Sequence, residues 1–339
     1  MANRLQIDSG PGGASPAREG WEAEANHGRD WVGIAANAAS GRGAGRLAVD
    51  RLARELEKLG LETRIAWTLP EREALVADAT AAQHCRCLVA AGGDGTVADL
   101  INERPTVPIA VLPVGTENLF ARHFKFVRDP RRAAERIASG EATTMDLGRV
   151  GSRRFALMAG IGFDADVVSR HHNARVGRTG SMRPTHRVAY VEPVLRSSFG
   201  YRFPPLRLTI DGADGRRESL AGSTAFIFNL PRYALGLPFA PSARGDDGWL
   251  DLVVFRDPGP FRALHYLWLV VCGQHLNRPG IIHRRVRRVT VEADEPVPVQ
   301  LDGDPGGTIL PGASPPWTAE IDPDALGVLA PAVSAVAAS

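Results

Sequence analysis

The sequence has few cysteines and no long apolar run. Its 339 residues include three cysteines, an odd number that forms no complete disulfide framework and favours the cytosol. The longest apolar candidate, Ala263–Cys272, is well short of the roughly 18–20 residues of a membrane-spanning helix. Residues 1–30 lack the apolar core of a secretory signal. We therefore expect a cytoplasmic protein with a flexible leader over 1–30.

Lysine is also scarce. Only Lys58 and Lys125 occur among the 40 basic residues, and no Gly-x-x-x-x-Gly-Lys-Ser/Thr segment is present, which excludes a P-loop mechanism. The net charge of +2 is too small to indicate a nucleic-acid partner. The densest basic run, His283–Arg288, is typical of a solvated face, and contact with an anionic membrane surface remains open. The sequence also leaves the oligomeric state open, and a homodimer is one possibility.

Strand and helix patterns alternate in the first part of the chain. Predicted strands at Trp31–Ala36, Leu61–Trp67, Arg86–Ala91 and Pro108–Leu112 are each followed by a polar turn and a helical pattern. This order predicts a doubly wound α/β domain with a parallel sheet over 31–141. Ligands bind at the carboxyl ends of such strands, so we expect one polar rim formed by Asn37, Ser40, Thr68, Gly92–Thr96 and Thr116.

Short strands separated by Asp-Gly turns dominate from about residue 142. Such pairs occur at 211–212, 247–248 and 302–303, and they are strong turn signals. The pattern predicts a second domain over 142–325, a mostly antiparallel β-sandwich, with 326–339 as a tail.

One apolar helix interrupts the predicted strands, at about Pro260–His275. Leu264, Leu267, Trp268 and Val271 recur there at helical spacing, which predicts a face buried in the core. The alternative is that the aromatic side chains of this helix line a slot for an acyl chain.

The segment Gly92-Gly93-Asp94-Gly95-Thr96 joins a buried strand to a helix. Glycine lets a ligand lie against the main chain, and the helix directs free amides and its positive end toward an anion such as phosphate. Asp94 is placed to hold a cation that accompanies phosphate. The alternative is that Asp94 is a plain N-cap of the following helix.

Asp302 and Asp304 bracket Gly303 at the end of the predicted strand Val297–Leu301. Residues i and i+2 of an extended segment face the same side, so both carboxylates can point into one cleft. One carboxylate can accept a proton from a substrate hydroxyl while its neighbour organises Mg²⁺ or raises the pKa of the base. The alternative is a simple Asp-Gly hairpin turn.

Five sequence blocks, in order, resemble the diacylglycerol kinase catalytic-domain superfamily. The resemblance is closest to the soluble bacterial lipid kinases, relatives of the sphingosine and ceramide kinases, and spans about Trp31 to Ile321. It implies ATP- and Mg²⁺-dependent phosphorylation of a hydroxyl of a lipid such as diacylglycerol or a sphingoid lipid, in a cleft between two domains. The acceptor lipid stays open. The blocks are Gly92–Thr96, Leu112–Arg122, Gly160–Ala165, Asp246–Asp251 and Leu301–Asp304.

The resemblance also implies roles for individual residues. Asp304 stands where the family has a glutamate base, so the role of base falls to Asp304 or Asp302, with Asp94 as a third catalytic carboxylate. Leu119 stands where the family often has aspartate, so one carboxylate that could organise a metal is missing. The ATP site would be formed by Asn37, Ser40, Gly41, Thr68, Gly92, Gly93, Asp94, Gly95, Thr96, Thr116 and Asn118.

A loop in the second half resembles the structural magnesium loop of the family. In this loop, Arg244–Trp249, Asp247 would bind Mg²⁺ through its carboxylate, and Arg244 and Trp249 would contribute main-chain carbonyls. Oxygen ligation by a turn is chemically suited to Mg²⁺. A plain Asp-Asp-Gly turn is the alternative.

Two other functions remain open. NAD kinases share the Gly-Gly-Asp-Gly-Thr turn on a similar fold, which leaves phosphorylation of a soluble dinucleotide as an alternative. The departures at Leu119 and Asp304 leave a non-catalytic lipid- or nucleotide-binding protein as another. The segments Gly115–Asn118 and Asp302–Asp304 fit the lipid kinases better than the dinucleotide kinases.

Overall fold

A computed structural model describes residues 30–37, 44–81, 84–175, 197, 200–212, 215–276 and 278–330. Ser40 and Gly41 of the predicted ATP site lie outside the described residues. So do 1–29 of the predicted leader and 331–339 of the predicted tail.

Helices and strands alternate in the first half of the described chain, and strands dominate the second half. In order they are β1 (Trp31–Ala36), α1 (Ala44–Lys58), β2 (Glu62–Ala66), α2 (Leu69–Ala81), β3 (Cys85–Gly92), α3 (Asp94–Asn102), β4 (Ile109–Pro113), α4 (Leu119–His123), α5 (Pro130–Ser139), β5 (Glu141–Val150), β6 (Arg153–Phe155), β7 (Met158–Ile161), α6 (Phe163–Arg175), β8 (Leu206–Gly212), β9 (Arg217–Gly222), β10 (Thr224–Phe228), β11 (Leu250–Phe255), α7 (Pro260–Val271), β12 (Ile281–Ala293), β13 (Val297–Leu301), β14 (Asp304–Ile309) and β15 (Trp317–Ala330).

The first domain is a parallel sheet with helices on both faces. Its strands lie in the order β4-β3-β1-β2, and every pair among them is parallel. All residues of β1 and β3 are buried, as expected of strands covered on both sides. Leu52 of α1 and Ile137 of α5 pack on one face, whereas Leu75 of α2 and Leu100 of α3 pack on the other. The predicted doubly wound α/β domain is confirmed.

The second domain is the predicted β-sandwich. Its strands lie in the order β14-β13-β7-β10-β11-β12, and β8 and β9 continue from β12. Its core is aliphatic, with Ile227, Leu252, Val289 and Val299 all fully buried. Alternation along β8 sends Leu206 and Leu208 into this core while the residues between them are more exposed.

The last described strand connects the two domains. β15 pairs with β12 near its start, where Trp317 opposes Val291, and with β4 near its end, where Val328 opposes Ile109. It also pairs with β5 along most of its length, so the two sheets form one hydrogen-bonded network. β15 continues to Ala330, so residues 326–330, which we predicted to be tail, belong to the sheet. Their apolar residues Leu326, Val328 and Leu329 are buried.

The face of α7 that we predicted to be buried is exposed. Tyr266, Leu269 and Val270 are the buried residues of this helix, whereas Trp268 and Val271 are 57% and 58% exposed. The prediction was wrong because both faces of α7 are apolar, so hydrophobic spacing could not show which one meets the sheet. No helix among the described residues is long and apolar enough to span a membrane.

Candidate active site

The turns that follow β3 and β4 pack backbone against backbone. A Cβ atom on Gly115 would lie 2.4 Å from the Cα atom of Gly93, a distance that no side chain allows. Asn118 holds the second turn, because its Oδ1 accepts the amide of Gly115 at 3.1 Å and its Nδ2 donates to the Gly115 carbonyl at 2.7 Å. Asn118 is buried and left-handed, with φ of 53°. It therefore steadies the turn, and its contact with phosphate stays a prediction.

Asp94 links these two turns. Its carboxylate oxygens accept the backbone amides of Leu119 and Phe120, each at 3.0 Å. Asp94 therefore caps α4 on the neighbouring turn, while Gly93 is the N-cap of its own helix α3. Burial raises the pKa of Asp94 although both amide hydrogen bonds lower it. The carboxylate is a cap, as the alternative proposed, but of a different helix.

Thr96 and Thr68 have local structural roles. A Cβ atom on Gly92 would lie 2.0 Å from Oγ1 of Thr96, so glycine is required for this threonine to pack on the turn. Thr68 and Glu71 form a capping box at the start of α2, in which Thr68 Oγ1 accepts the Glu71 amide at 3.4 Å and Glu71 Oε2 accepts the Thr68 amide at 3.1 Å.

Asp302 has a structural role, because its carboxylate binds backbone amides of a distant segment. Its carboxylate accepts the amides of Ala156 and Leu157, each at 2.7 Å, and that of Met158 at 3.0 Å. The residue is left-handed, with φ of 53°. Burial raises the pKa of Asp302 to about 6, the three amides oppose this shift, and the charge of Asp94 adds to it. Asp302 thus fixes the turn between β13 and β14, and the role of base at Asp302 or Asp304 stays a prediction.

Asp304 lies above the start of α3. A Cβ atom on Gly95 would lie 3.9 Å from Oδ2 of Asp304, so the late carboxylate and the Gly-Gly-Asp-Gly-Thr turn meet although they are about two hundred residues apart. Gln300 supports this arrangement, because its Oε1 accepts the amide of Gly303 at 2.8 Å.

Asp164, Gln300 and Tyr233 form a polar group that we did not predict as site residues. Gln300 Nε2 donates to Asp164 Oδ2 at 2.8 Å, and Tyr233 also hydrogen-bonds this carboxylate. Desolvation raises the pKa of Asp164 to about 6. A Cβ atom on Gly160 would lie 2.7 Å from both Asp164 and Gln300. The sequence block Gly160–Ala165, which contains both Gly160 and Asp164, is the feature from which this polar group could have been predicted.

A large apolar cavity of about 610 Å³ opens beside these groups. One end is polar and contains most of the predicted site residues, namely Asn37, Gly93, Asp94, Gly95, Thr96, Thr116, Asp302 and Asp304. The other end is formed by aromatic and aliphatic side chains of the second domain, including Phe163, Phe203, Phe226, Leu237, Phe239, Tyr266 and Val270. Helix α7 thus lines the cavity, as the alternative for Pro260–His275 proposed.

A second, polar cavity of about 560 Å³ lies on the other side of the Asp302–Asp304 turn. Its wall includes arginine side chains, among them Arg72, which pairs with Asp99 at 3.2 Å and with Glu103 at 2.5 Å. Asp99, Asp302 and Asp304 line both cavities. Thr68 is not among the described residues lining either one, but Leu69 next to it lines the polar cavity.

The predicted magnesium loop is held by hydrogen bonds and an ion pair. Asp247 accepts the amide of Trp249 at 3.2 Å and the guanidinium of Arg285 at 2.5 Å, so a cationic side chain already balances its charge. Asp146, which we did not predict, accepts the amide of Gly248 at 2.7 Å. The metal roles of Arg244, Asp247 and Trp249 stay predictions. Among the described residues, no group of three or more metal-binding side chains is assembled.

An α/β domain and a β-sandwich thus meet at this site, with the Gly-Gly-Asp-Gly-Thr turn on one side and Asp304 on the other. Comparison with family models is specific. Residues 32–150 match the diacylglycerol kinase catalytic domain, and residues 158–330 match the YegS C-terminal NAD kinase beta sandwich-like domain. The chain therefore belongs to the diacylglycerol kinase-like family of lipid kinases.

Individual relatives agree with this assignment. Diacylglycerol kinase of Staphylococcus carnosus is 28% identical over 267 residues, which cover 75% of this chain and 82% of the relative. The Staphylococcus aureus diacylglycerol kinase is 26% identical, with 75% and 80% covered. A solved Bacillus anthracis protein aligns with a TM-score of 0.70 at 18% identity over 90% of this chain and 96% of that chain. A diacylglycerol kinase structure from the same organism gives 0.64 at 17% identity, with 91% and 98% covered. These structures share the fold.

Proposed function

We propose that the protein is an ATP- and Mg²⁺-dependent kinase that phosphorylates a hydroxyl group of a membrane lipid such as diacylglycerol. The observation that carries this proposal is that a polar cavity and an apolar cavity meet at Asp304. A lipid kinase must bring the negatively charged phosphates of ATP and the hydroxyl group of an aliphatic lipid together. A polar cavity that meets an apolar cavity can hold one substrate on each side of the reacting atoms.

The apolar cavity suits the acceptor. Ligand sites are mostly apolar with a few placed polar groups, and here the aromatic wall ends at Asp164 and Asp304. A lipid can place its acyl chains among Phe226, Phe239 and Val270 while its hydroxyl group reaches the carboxylates. The aliphatic part of the wall suits acyl chains better than the charged and hydroxylated backbone of a dinucleotide.

The polar cavity and the glycine turns suit ATP. The amides at the start of α3 and the glycine backbone favour bound phosphate. Arg104 and Arg153, whose guanidinium groups donate to the carbonyls of Ser152 and Pro305, add positive charge to the polar cavity, whereas the charge of Arg72 is balanced by Asp99 and Glu103. The γ-phosphate would then lie near Gly95, below Asp304.

Asp304 acts as the general base in this proposal. As the lipid hydroxyl oxygen attacks the γ-phosphorus, its proton passes to the Asp304 carboxylate, the bond to the β–γ bridging oxygen breaks, and ADP leaves. Asp302 positions the turn through its three amide hydrogen bonds. Because positioning and charge neutralisation supply most of the catalysis in phosphoryl transfer, a modest base suffices.

Mg²⁺ fits the donors present at the junction. The hard oxygens of Asp304 and Asp99 face both cavities, and Mg²⁺ in kinases is held by one or two carboxylates together with the substrate phosphates. The ion would neutralise charge that develops on the transferred phosphate. Asp94 and Asp302 are engaged by backbone amides and Asp99 also pairs with Arg72, so the ion would be held mainly by the substrate phosphates with Asp99 beside them, and Asp304 would keep the role of base.

The test is transfer of label from [γ-³²P]ATP to a panel of lipids and to NAD. We expect radioactivity in the organic extract, and the lipid of the panel that becomes labelled, diacylglycerol in our proposal, is the acceptor. Label only in aqueous NADP would contradict the lipid assignment, and no transfer with intact ATP binding would indicate a binding protein.

A cytoplasmic location agrees with the three free cysteines.

A further inference from the structure

Helix α7 carries an apolar stripe that is largely exposed. Phe261, Leu264, Trp268 and Val271 recur at intervals of three and four residues, Leu264 among them being half-buried, and Leu267 lies at the edge. We call these five residues the α7 face. Phe261 is 79% exposed, and the opposite side of the helix is buried through Tyr266, Leu269 and Val270. A contiguous exposed apolar patch marks an interaction site.

The α7 face adjoins the apolar cavity. Leu267 belongs to the face and also lines the cavity, together with Ala263, Tyr266 and Val270 from the inner side of the same helix. Leu235, 47% exposed, lines the cavity as well. An aliphatic chain can therefore pass from the α7 face into the cavity along apolar side chains.

The surroundings of the α7 face match a bilayer surface. The rings of His265 and Trp268 stack with centroids 6.2 Å apart, and amphipathic rings such as tryptophan concentrate at the membrane–water interface. Arg262 beside the face has a side chain that is 60% exposed and lies 4.0 Å from an Asp257 oxygen, a looser pair than those of the β12 arginines at 2.5–2.9 Å. Arg232, which precedes Leu235, is exposed and donates to the carbonyl of Gly236. Both cations suit anionic headgroups.

Other surfaces and occupants fit less well. In the basic run on β12, Arg284, Arg285 and Arg288 are engaged by Glu218, Asp247 and Glu320, so most of its charge is balanced within the protein. A second copy of the chain would need a larger contact, since five side chains are far fewer than the roughly 20–30 residues per partner of a stable interface.

We propose that the α7 face docks onto the surface of an anionic phospholipid bilayer and sets the opening of the apolar cavity against the lipid. This inference rests on the proposed lipid kinase function, because the cavity would then take its acceptor directly from the membrane.

The test is flotation of the full chain with vesicles of phosphatidylcholine and the anionic lipid phosphatidylglycerol, whose headgroups attract cationic side chains near the surface. The variant is Phe261→Ser with Trp268→Ser, neither of which lines the cavity. The matched control is Leu47→Ser with Leu310→Ser, two leucines that are 64% and 57% exposed elsewhere. We expect the variant to lose vesicle binding at least tenfold, and the control to bind as the wild type.

A kinase assay with two forms of the substrate distinguishes a loss of membrane docking from a loss of catalysis. The α7 variant should lose activity toward diacylglycerol in vesicles and keep it toward a short-chain diacylglycerol dissolved as monomer. Equal flotation of wild type and variant overturns the docking proposal, as does a wild type that does not float. A wild type that is a dimer in light scattering and a variant that is a monomer, with equal vesicle binding, would also overturn the proposal, because the α7 face would then bind a second copy of the chain. A wild type that floats through α7 but phosphorylates no lipid supports docking and removes the kinase proposal.

Discussion

The carboxylate of Asp94 accepts the backbone amide of Leu119 at 3.0 Å, and through it the turn after β3 holds the helix after β4. At position 119 the resembling family often has an aspartate. Here the side chain is a buried leucine that lines the apolar cavity. The chain therefore keeps the backbone connection between the two turns without a second carboxylate there.

Replacing Asp94 should first affect stability. Asp94→Ala removes the acceptor of two buried amides, and unsatisfied donors of this kind cost about 1–3 kcal/mol. Asp94→Asn keeps one acceptor and should fall between this variant and the wild type. Thermal unfolding measures both, with Asp50→Ala on the exposed side of α1 as control. An unfolding temperature of Asp94→Ala equal to that of the wild type would show that the cap contributes nothing.

Two glycines of the site should respond differently to alanine. At Gly115 the new Cβ atom would meet the backbone of Gly93 at 2.4 Å, so the two turns must separate, whereas at Gly95 the nearest described atom is Asp304 Oδ2 at 3.9 Å. We expect Gly115→Ala to cost about 1–3 kcal/mol and Gly95→Ala to stay within about 0.5 kcal/mol of the wild type. Urea unfolding compares them, and equal losses would argue against tight packing of the turns.

Stability should depend on pH through Asp164. Its folded pKa of about 6 is raised by desolvation above the unfolded value, so its stabilising contribution is present at low pH and lost as pH rises through 6. Asp164→Asn mimics the protonated group. The variant should match the wild type near pH 4 and unfold about 2–4 °C higher at pH 8, the change that about 1 kcal/mol produces in a domain of this size.

Calorimetry at several pH values follows this difference. Asp166→Asn, which changes an aspartate on the same helix that pairs with Arg170, is the control and should show no such gain at pH 8. A gap between Asp164→Asn and the wild type that is constant with pH would mean that Asp164 does not titrate in this range.

The Asp247 loop should depend on Arg285 more than on a metal. Arg285→Ala removes the guanidinium from Asp247, and because the pair is partly exposed we expect a loss of at most about 1 kcal/mol. Adding EDTA should leave the unfolding temperature of the wild type unchanged. A drop with EDTA that disappears in Asp247→Asn would instead support the magnesium loop that the family resemblance implies.

The sequence predicted the first domain well, because β1, β3 and β4 are rich in apolar residues and are followed by polar turns, whereas β2 carries Glu62 and Arg64 and is mostly exposed. The family resemblance also brought Asp304 and the turn at Gly92–Thr96 to one site, and Oδ2 of Asp304 does lie 3.9 Å from the position that a Cβ atom on Gly95 would take. Local rules suffice where a strand end, a glycine and a helix start follow one another.

The sequence did not predict features that depend on distant contacts. Asp302 is engaged by amides of residues 156–158, partners that no spacing around Asp302 reveals. Thr68 differs from Asp302, because the glutamate three positions later is a local sequence signature of the capping box that it forms. The orientation of α7 also required tertiary information, since Val270 is buried and Val271 exposed.

The most direct test of the central claim is single-turnover transfer of phosphate from ATP to diacylglycerol in mixed micelles by wild type, Asp304→Asn and Asp304→Glu. Loss of a general base predicts at least about a hundredfold slower transfer by Asp304→Asn, with ATP binding unchanged in the same samples. Asp304→Glu, which restores the residue type of the resembling family, should stay within tenfold of the wild type. Transfer by Asp304→Asn at the wild-type rate would contradict the assignment of Asp304 as the base at the junction of the two cavities.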